Sequence, residues 1–423
     1  KYVRNYRIRD SLDAIDGGCY ADPEAVGRVP YAGMYHQTRA TLWELGGMDD
    51  IVWEGTRLWD SKVAMLMSES TDNWQPANVA RQFAEASTSG PAGGYIQASD
   101  RWGTLGSERA SLFILLQHAQ LQLDIVTEDD ILNDHLGQYS TLFMAESHVS
   151  QAATTALAKW VAAGHTLCAS AAAGGKDEFN ATNHAMQQLL GIKHMRTEVD
   201  KQGIVNGTID FVKQNLPFAS AIDSVTLNGS TIDVVGWKSH FTTVDQTAIE
   251  VLGRFSDTSP AIARRSVGSG HAMYIGFLPG LSYFKPAIPK RPVSRGPNDD
   301  DFNHFLPTEF NVAVRDSLVL GLAIDDVART VGRPVLTSEP LVDHSAIVSK
   351  HGLMVPLINW VGKSVHNLQI QLREPIGRTY EWGSAVMISG GSVAKIGSME
   401  KAGVRTTTFR VDALDVADAL VLR

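Results

Sequence analysis

A doubly wound α/β unit followed by a small all-β module is the fold this sequence predicts, and three observations carry the prediction. From Lys62 onward, short apolar runs alternate with amphipathic helical stretches, the signature of parallel strands joined by crossover helices. After about residue 200 that rhythm gives way to hairpin signals, and from Pro334 to Arg423 short strands are separated by Gly, Pro and Asn. At 423 residues the chain is too long for one compact domain, so two or three are expected.

The expected parallel strands are Val63–Met67, Leu123–Val126, Leu142–Ala145 and Thr166–Ala169, giving a sheet of about four to five strands, too few for an eight-stranded barrel. Between the first two, "SERASLFILLQHAQ" places Leu112, Leu115, Leu116 and Ala119 on one helix face, with Ser107 as cap and Glu108 in the first turn. A second helix is expected after the Ser150 cap, with Leu157, Trp160 and Val161 turned inward. A third runs through "NATNHAMQQLLG" and stops at Gly191. Asn228-Gly229 in "SVTLNGSTIDVVG" is a two-residue turn signal, and "AIARRSVGSGHAMYIGF" repeats the hairpin idea, both extending or edging the same sheet. Five prolines in "YFKPAIPKRPVSRGPNDDDFNHFLPTEF" forbid regular structure there and mark a strap, lid or linker. A helix follows through Phe310, Val314, Leu318 and Leu322, and the last stretch reads as a sandwich of roughly 90 residues.

Composition narrows the partners. A net charge of -9 without a block of Lys or Arg carries no nucleic-acid footprint and no basic face for an anionic membrane. No apolar run reaches the roughly 18 residues a membrane span needs. Only Cys19 and Cys168 are present, far apart in sequence, which indicates neither a disulfide framework nor a Cys-based zinc site and leaves the compartment open. The start, "KYVRNYRIRDSLDAIDG", has no initiator Met, signal core or cleavage site, so the chain is expected to begin inside a longer one.

Chemistry-bearing residues are few. Asp177 and Glu178 in "GGKDE" follow the fourth strand, on the side where open α/β sheets place ligands. Adjacent side chains point apart, however, and make a poor acid/nucleophile pair, so the alternative is a structural loop capping the next helix. A strand-to-helix nucleophile elbow would fall in "LCASAAAGGKDE". There Cys168 sits within the apolar strand, Ser170 lacks flanking glycines, and Ala171, Ala172 and Ala173 fill the elbow without a reactive group. His184 and His194 have no spaced partner, and no cofactor motif is read. In "PNDDDFNH", Asp299, Asp300 and Asp301 with Asn303 and His304 are candidate Ca²⁺ ligands, against a solvated acidic loop paired with Lys290, Arg291 and Arg295. The polar stretch after the first strand, Ser68, Glu69, Ser70, Asp72, Asn73 and Trp74, is expected as a loop that contacts a sugar through Trp74 or touches another domain or subunit. The plain alternative is that Glu69 and Asp72 cap the following segment.

The order "KVAMLMSESTDNWQ", "LQLDIV", "LGQYSTLFMAESHVSQAATTALAKWVAAGHTLCASAAAGGKDEFN" and "SPAIARRSVGSGHAMYIGFLPG" resembles the part that follows the catalytic barrel in family 42 β-galactosidase-type glycoside hydrolases, over about residues 62 to 280. The resemblance implies a trimerisation domain of flavodoxin-like fold, similar to class I glutamine amidotransferases without their nucleophile. Residues 61–284 would be this domain, 285–333 a Pro-rich strap and helix, 334–423 the terminal β-sandwich, and 1–60 the exit of a preceding barrel. That barrel is missing from the chain. It implies oligomerisation and framing of an active site in carbohydrate degradation, with catalytic carboxylates upstream or in a companion chain, a trimer, and Glu69, Asp72, Asn73, Trp74, Asp177 and Glu178 near a substrate or a neighbouring subunit. Two other readings stay open: a stand-alone carbohydrate-binding or assembly protein, and a degenerate amidotransferase-like hydrolase using Ser170 or Cys168.

Overall fold

The computed structural model describes residues 42–43, 46–74, 103–199, 221–227, 229–244, 249–287, 309–321, 332–375 and 382–423. Its main sheet has nine strands, running in space Leu123–Thr127, Val63–Met67, Thr141–Met144, Thr166–Ala169, Gly270–Ile275, Pro260–Val267, Ile249–Phe255, Asp223–Leu227 and Ser230–Val234. The first five pair in parallel and the remaining pairings are antiparallel. Counted in chain order, the parallel strands lie 2-1-3-4-5 across the sheet.

Strand alternation explains why both faces are covered. Val63 and Met65 point into a core with Leu112, Leu115 and Leu116, while Ala64 and Leu66 point into another with Leu142, Leu157 and Val161. The first core lies under the helices Gly103–His118 and Pro279–Phe284, the second under Gln151–Ala162 and His184–Leu190. The two later helices start where expected: the Ser150 hydroxyl accepts from Ala153 N–H and the Asn183 side chain from Met186 N–H. Gly191 ends the second of them at φ +68°, where a Cβ would meet Ile249 and Arg265. The Gly103–His118 helix begins a turn before Ser107, and Trp160 is only partly buried, donating to the Leu136 carbonyl.

The hairpin strands do continue the main sheet, with Leu227 opposite Ser230; Asn228 lies outside the described residues. A separate antiparallel pair, Ile192–Val199 with Trp237–Thr243, was not read from the sequence. Over the described part of the helix expected from Phe310 to Leu322, the element is different in kind: four α-helical residues, Val312–Arg315, run into a π-helical turn, Asp316–Leu320, closed by Gly321 N–H donating to the Asp316 carbonyl, and Leu322 lies outside the described residues. The wider turn still delivers Phe310, Val314 and Leu318 to the core.

The C-terminal part is two antiparallel sheets over one core. Gly352–Asn359 and Ala417–Leu422 belong to one sheet, and Val365–Pro375, Val404–Leu414 and Val393–Lys401 to the other; Val355, Leu420, Leu368, Ile370 and Phe409 meet between them. Residues from before the main sheet complete this unit. Thr56–Arg57 pairs with Ile347 and Val348, Leu58 enters the shared core, and Ile51 packs on Met354 and Val421. The two parts are joined by polar contacts: the Gln120 side chain pairs with both backbone groups of Thr337, and Gln122 N–H donates to the Gly332 carbonyl. Gln120 is held at φ +60° to do so. Among the described residues no helix is long and apolar enough to cross a membrane.

Candidate functional site

Chemistry-bearing side chains gather at the carboxyl ends of the parallel strands. The stretch after the first strand is not a loop: residues 69–74 are helical, with Thr71 N–H donating to the Ser68 hydroxyl oxygen at 3.1 Å and Asp72 N–H to the Ser68 carbonyl. Tertiary bonds hold this turn in place. Thr71 Oγ1 donates to the His148 carbonyl at 2.9 Å and accepts from His148 N–H at 3.0 Å. Glu128, nearly buried, accepts from Ser150 N–H and Ser70 N–H and from the Ser68 hydroxyl. Burial alone raises its carboxyl, but the donors from Ser150 and Ser68 outweigh it and hold the group below its ordinary range.

Beneath the turn is an ion cluster the sequence did not reveal. Arg109 grips the fully buried Glu146 through two guanidinium nitrogens and reaches Asp72 Oδ1 at 2.7 Å through a third. Glu146 follows a strand, where a lone acid in "FMAESH" was the available signal. Arg109 on the first crossover helix gave none.

The sequence-predicted residues divide into two groups. Glu69 and Asn73 are exposed, and the Glu69 carboxyl is raised by desolvation and by its acidic neighbours, with Asp129 first among them. Trp74, by contrast, is tied to the "GGKDE" turn: its indole N–H donates to the Glu178 carbonyl at 3.0 Å and its ring stacks on His148 at 5.9 Å between centroids. The same His148 reaches Asn180 Oδ1 through Nε2 at 3.2 Å. Asp177 accepts from the Gln151 side chain, from Phe179 N–H and from Ala181 N–H, and Gln151 foremost holds its carboxyl below the usual range. Glu178 accepts from Gln151 N–H at 2.9 Å. Glu178 thus caps the preceding helix, Gln151–Ala162, while Asp177 braces its own turn and the Gln151 side chain; neither caps the following helix, which Asn183 caps. Phe179, next in sequence after Glu178, is 76% exposed. Asp299, Asp300, Asp301, Asn303, His304, Lys290, Arg291 and Arg295 lie outside the described residues, as do residues 1–41 and Gln75.

The turn after the Thr166–Ala169 strand carries no reactive group at its strained position, and the next helix starts only at His184. Ala172 stands at φ +61°, pinned by its N–H donating to the Tyr274 hydroxyl at 3.1 Å. Cys168 is buried in the strand and burial pushes its thiol up to about 12. The Ser170 hydroxyl is buried and has no hydrogen-bond partner among the described residues. His194 bonds Thr197 instead, at 3.0 Å. Each carboxylate described here, apart from exposed Glu69, is held by donors of the same chain, so the arrangement builds a rigid rim with an aromatic surface, Trp74, His148 and Phe179, facing out.

Residues 107–288 match the family described as the beta-galactosidase trimerisation domain. Among solved structures, a catalytic mutant of the GH42 beta-galactosidase Gan42B from G. stearothermophilus is 14% identical with a TM-score of 0.55, over 98% of this chain and 46% of that one. A beta-galactosidase from Rahnella sp. is 13% identical with a TM-score of 0.51, over 95% of this chain and 47% of that one. These likenesses are likenesses of fold, and the chain spans less than half the length of either protein. No curated protein matches the sequence.

Proposed function

Taking as premise the chain's resemblance to the post-barrel part of family 42 glycoside hydrolases, we propose that it is the non-catalytic C-terminal region of a β-galactosidase-like enzyme, giving oligomerisation and framing a sugar site that another part of the enzyme operates. The match of residues 107–288 to the trimerisation domain carries this reading. The strand order 2-1-3-4-5 supports a flavodoxin-like assignment for residues 61–284, since doubly wound sheets of that order are one of the two common kinds. In the same reading residues 334–423 are the terminal sandwich, which residues 48–58 complete, 285–333 the strap, and the remainder of 1–60 the lead from a barrel.

The rim of Trp74, Asp177, Glu178 and Phe179, with Glu69, Asp72 and Asn73 beside it, is the surface we assign to a neighbouring copy of the chain. An exposed Phe next to a stacked Trp–His pair is the composition of an interface centre, and its backbone is already fixed by caps and buried ion pairs. A hydrolase working through Ser170 or Cys168 finds no support in the geometry, because neither has a histidine partner and burial raises the thiol.

Light scattering on the purified chain at micromolar concentration tests the reading. A trimer is expected, and the Trp74→Ser/Phe179→Ser double variant is expected to dissociate at the same concentration while keeping its circular dichroism spectrum. A monomeric wild-type chain overturns the assignment.

A further inference from the structure

Beside the elbow lies a cavity of about 300 Å³ that the oligomerisation reading does not use. Its floor is apolar, from Met186, Ile192 and the ring of Tyr274, and its polar rim consists of Ser147, Lys176, Thr182, Gln187 and His194. Among the described residues no carboxylate lines it. Lys176 has no ion-pair partner among the described residues, and its sequence neighbour Asp177 is occupied by Gln151, Phe179 and Ala181. Burial, helped by nearby His240, lowers the imidazole of His194, so the ammonium of Lys176 is the cavity's net charge near neutral pH. The wall closest to the strand end is the strained turn itself, with Ala172 at φ +61° and Gly174 at φ +61°, where a Cβ on Gly174 would strike the Met186 side chain at 2.5 Å. A non-glycine residue in this region persists only where its surroundings impose it, as at ligand clamps. Here the turn keeps the cavity open at the carboxyl end of the strands, where open α/β sheets bind their ligands, and its size is at the lower end for a small-molecule site.

We propose that this cavity binds a small organic anion, a carboxylate or phosphate monoester whose charged end meets Lys176 and whose body rests on Met186 and Ile192. The rim offers hydroxyl, amide and ammonium donors and, among the described residues, no competing acid, which selects an anion over a neutral sugar of the same size. The site is binding only, because no nucleophile stands on the elbow.

Isothermal titration calorimetry on the full 423-residue chain tests this with inorganic phosphate, butyrate and glucose 6-phosphate, and with glucose as the uncharged control. At least one anion is expected to bind saturably, about tenfold or more tighter than glucose, which is the worth of one charge-assisted hydrogen bond. The preference is expected to weaken with added salt and to vanish in Lys176→Gln. Thr182→Trp, at an exposed rim position, fills the mouth without touching the core and is expected to abolish binding; it carries the test should Lys176→Gln melt early. No saturable heat with any of the anions, or an affinity unchanged in either folded variant, overturns the proposal. Neither result depends on the oligomeric state.

Discussion

Glu108 is the residue whose environment has the clearest measurable consequence. It is wholly buried, yet it accepts from Gly280 N–H at 2.9 Å and Leu281 N–H at 2.8 Å, closing the start of the Pro279–Phe284 helix. Burial pushes its carboxyl from the ordinary 4.5 up to about 8, against those two donors. The folded chain therefore holds a proton that the unfolded chain releases above about 4.5, so this group's contribution to stability is complete below that pH and is lost as pH rises through about 8. Comparing wild type with Glu108→Gln by urea denaturation from pH 5 to 8, we expect the stability difference to move against the wild type with rising pH. Its slope approaches about 1.4 kcal/mol per pH unit, and a flat difference would show that no proton is held there. None of this was legible in the sequence, where Glu108 read as a first-turn acid of its own helix, because its partners lie 172 and 173 residues away. Asp177 and Glu178 were legible as acids at a strand's carboxyl end, a local fact. Arg109 and Glu146 were not read as a pair, since the pairing exists only once helix and strand are packed.

Elements with a clean period were readable: the first four strands and the Gln151–Ala162 helix are where alternation and capping put them. Residues 69–74 were not, because a run of Glu, Ser, Thr, Asp and Asn carries no apolar stripe and the helix is fixed from outside by His148 and Glu128. The π turn at Asp316–Leu320 escaped for a similar reason: four-residue spacing of Phe310, Val314 and Leu318 is shared by an α-helix and by this widened one. Packing between elements offers a sharp test at Gly280, where a Cβ would come within 2.3 Å of Leu112 N on the Gly103–His118 helix. Backbone cannot yield as a side chain does, so Gly280→Ala is expected to destabilise by about 1–3 kcal/mol or more, measured by thermal and urea unfolding. A neutral result would mean that the two helices stand further apart than described.

At the scale of the whole molecule, polar groups line the seam between the main sheet and the sandwich. Gln120 answers both backbone groups of Thr337. Buried His118, lowered to about 3 by burial, meets the Tyr283 hydroxyl at 2.9 Å and faces Asp343 of the C-terminal part at 3.6 Å. One calorimetric transition is therefore expected for the wild type. Gln120→Ala leaves the Thr337 amide and carbonyl without partners at about 1–3 kcal/mol each and is expected to lower the melting temperature and broaden or split the transition. An unchanged single peak would place the coupling elsewhere. That the sandwich takes in residues 48–58 was not readable either, because two-residue strands and single anchors such as Leu58 leave no periodic trace. The arrangement sets an order of events during biosynthesis. Thr56 and Val348, neighbours in one sheet, are 292 residues apart in the chain, a distance a ribosome covers in roughly 15–60 s. For that interval Leu58 and Ile51 emerge with no core to enter, while the main sheet between them and their partners is already long enough to fold. A newborn chain thus carries a sticky segment around Ile51 and Leu58 until the strands beyond Val335 arrive, and a chaperone that shields apolar segments would find its target there.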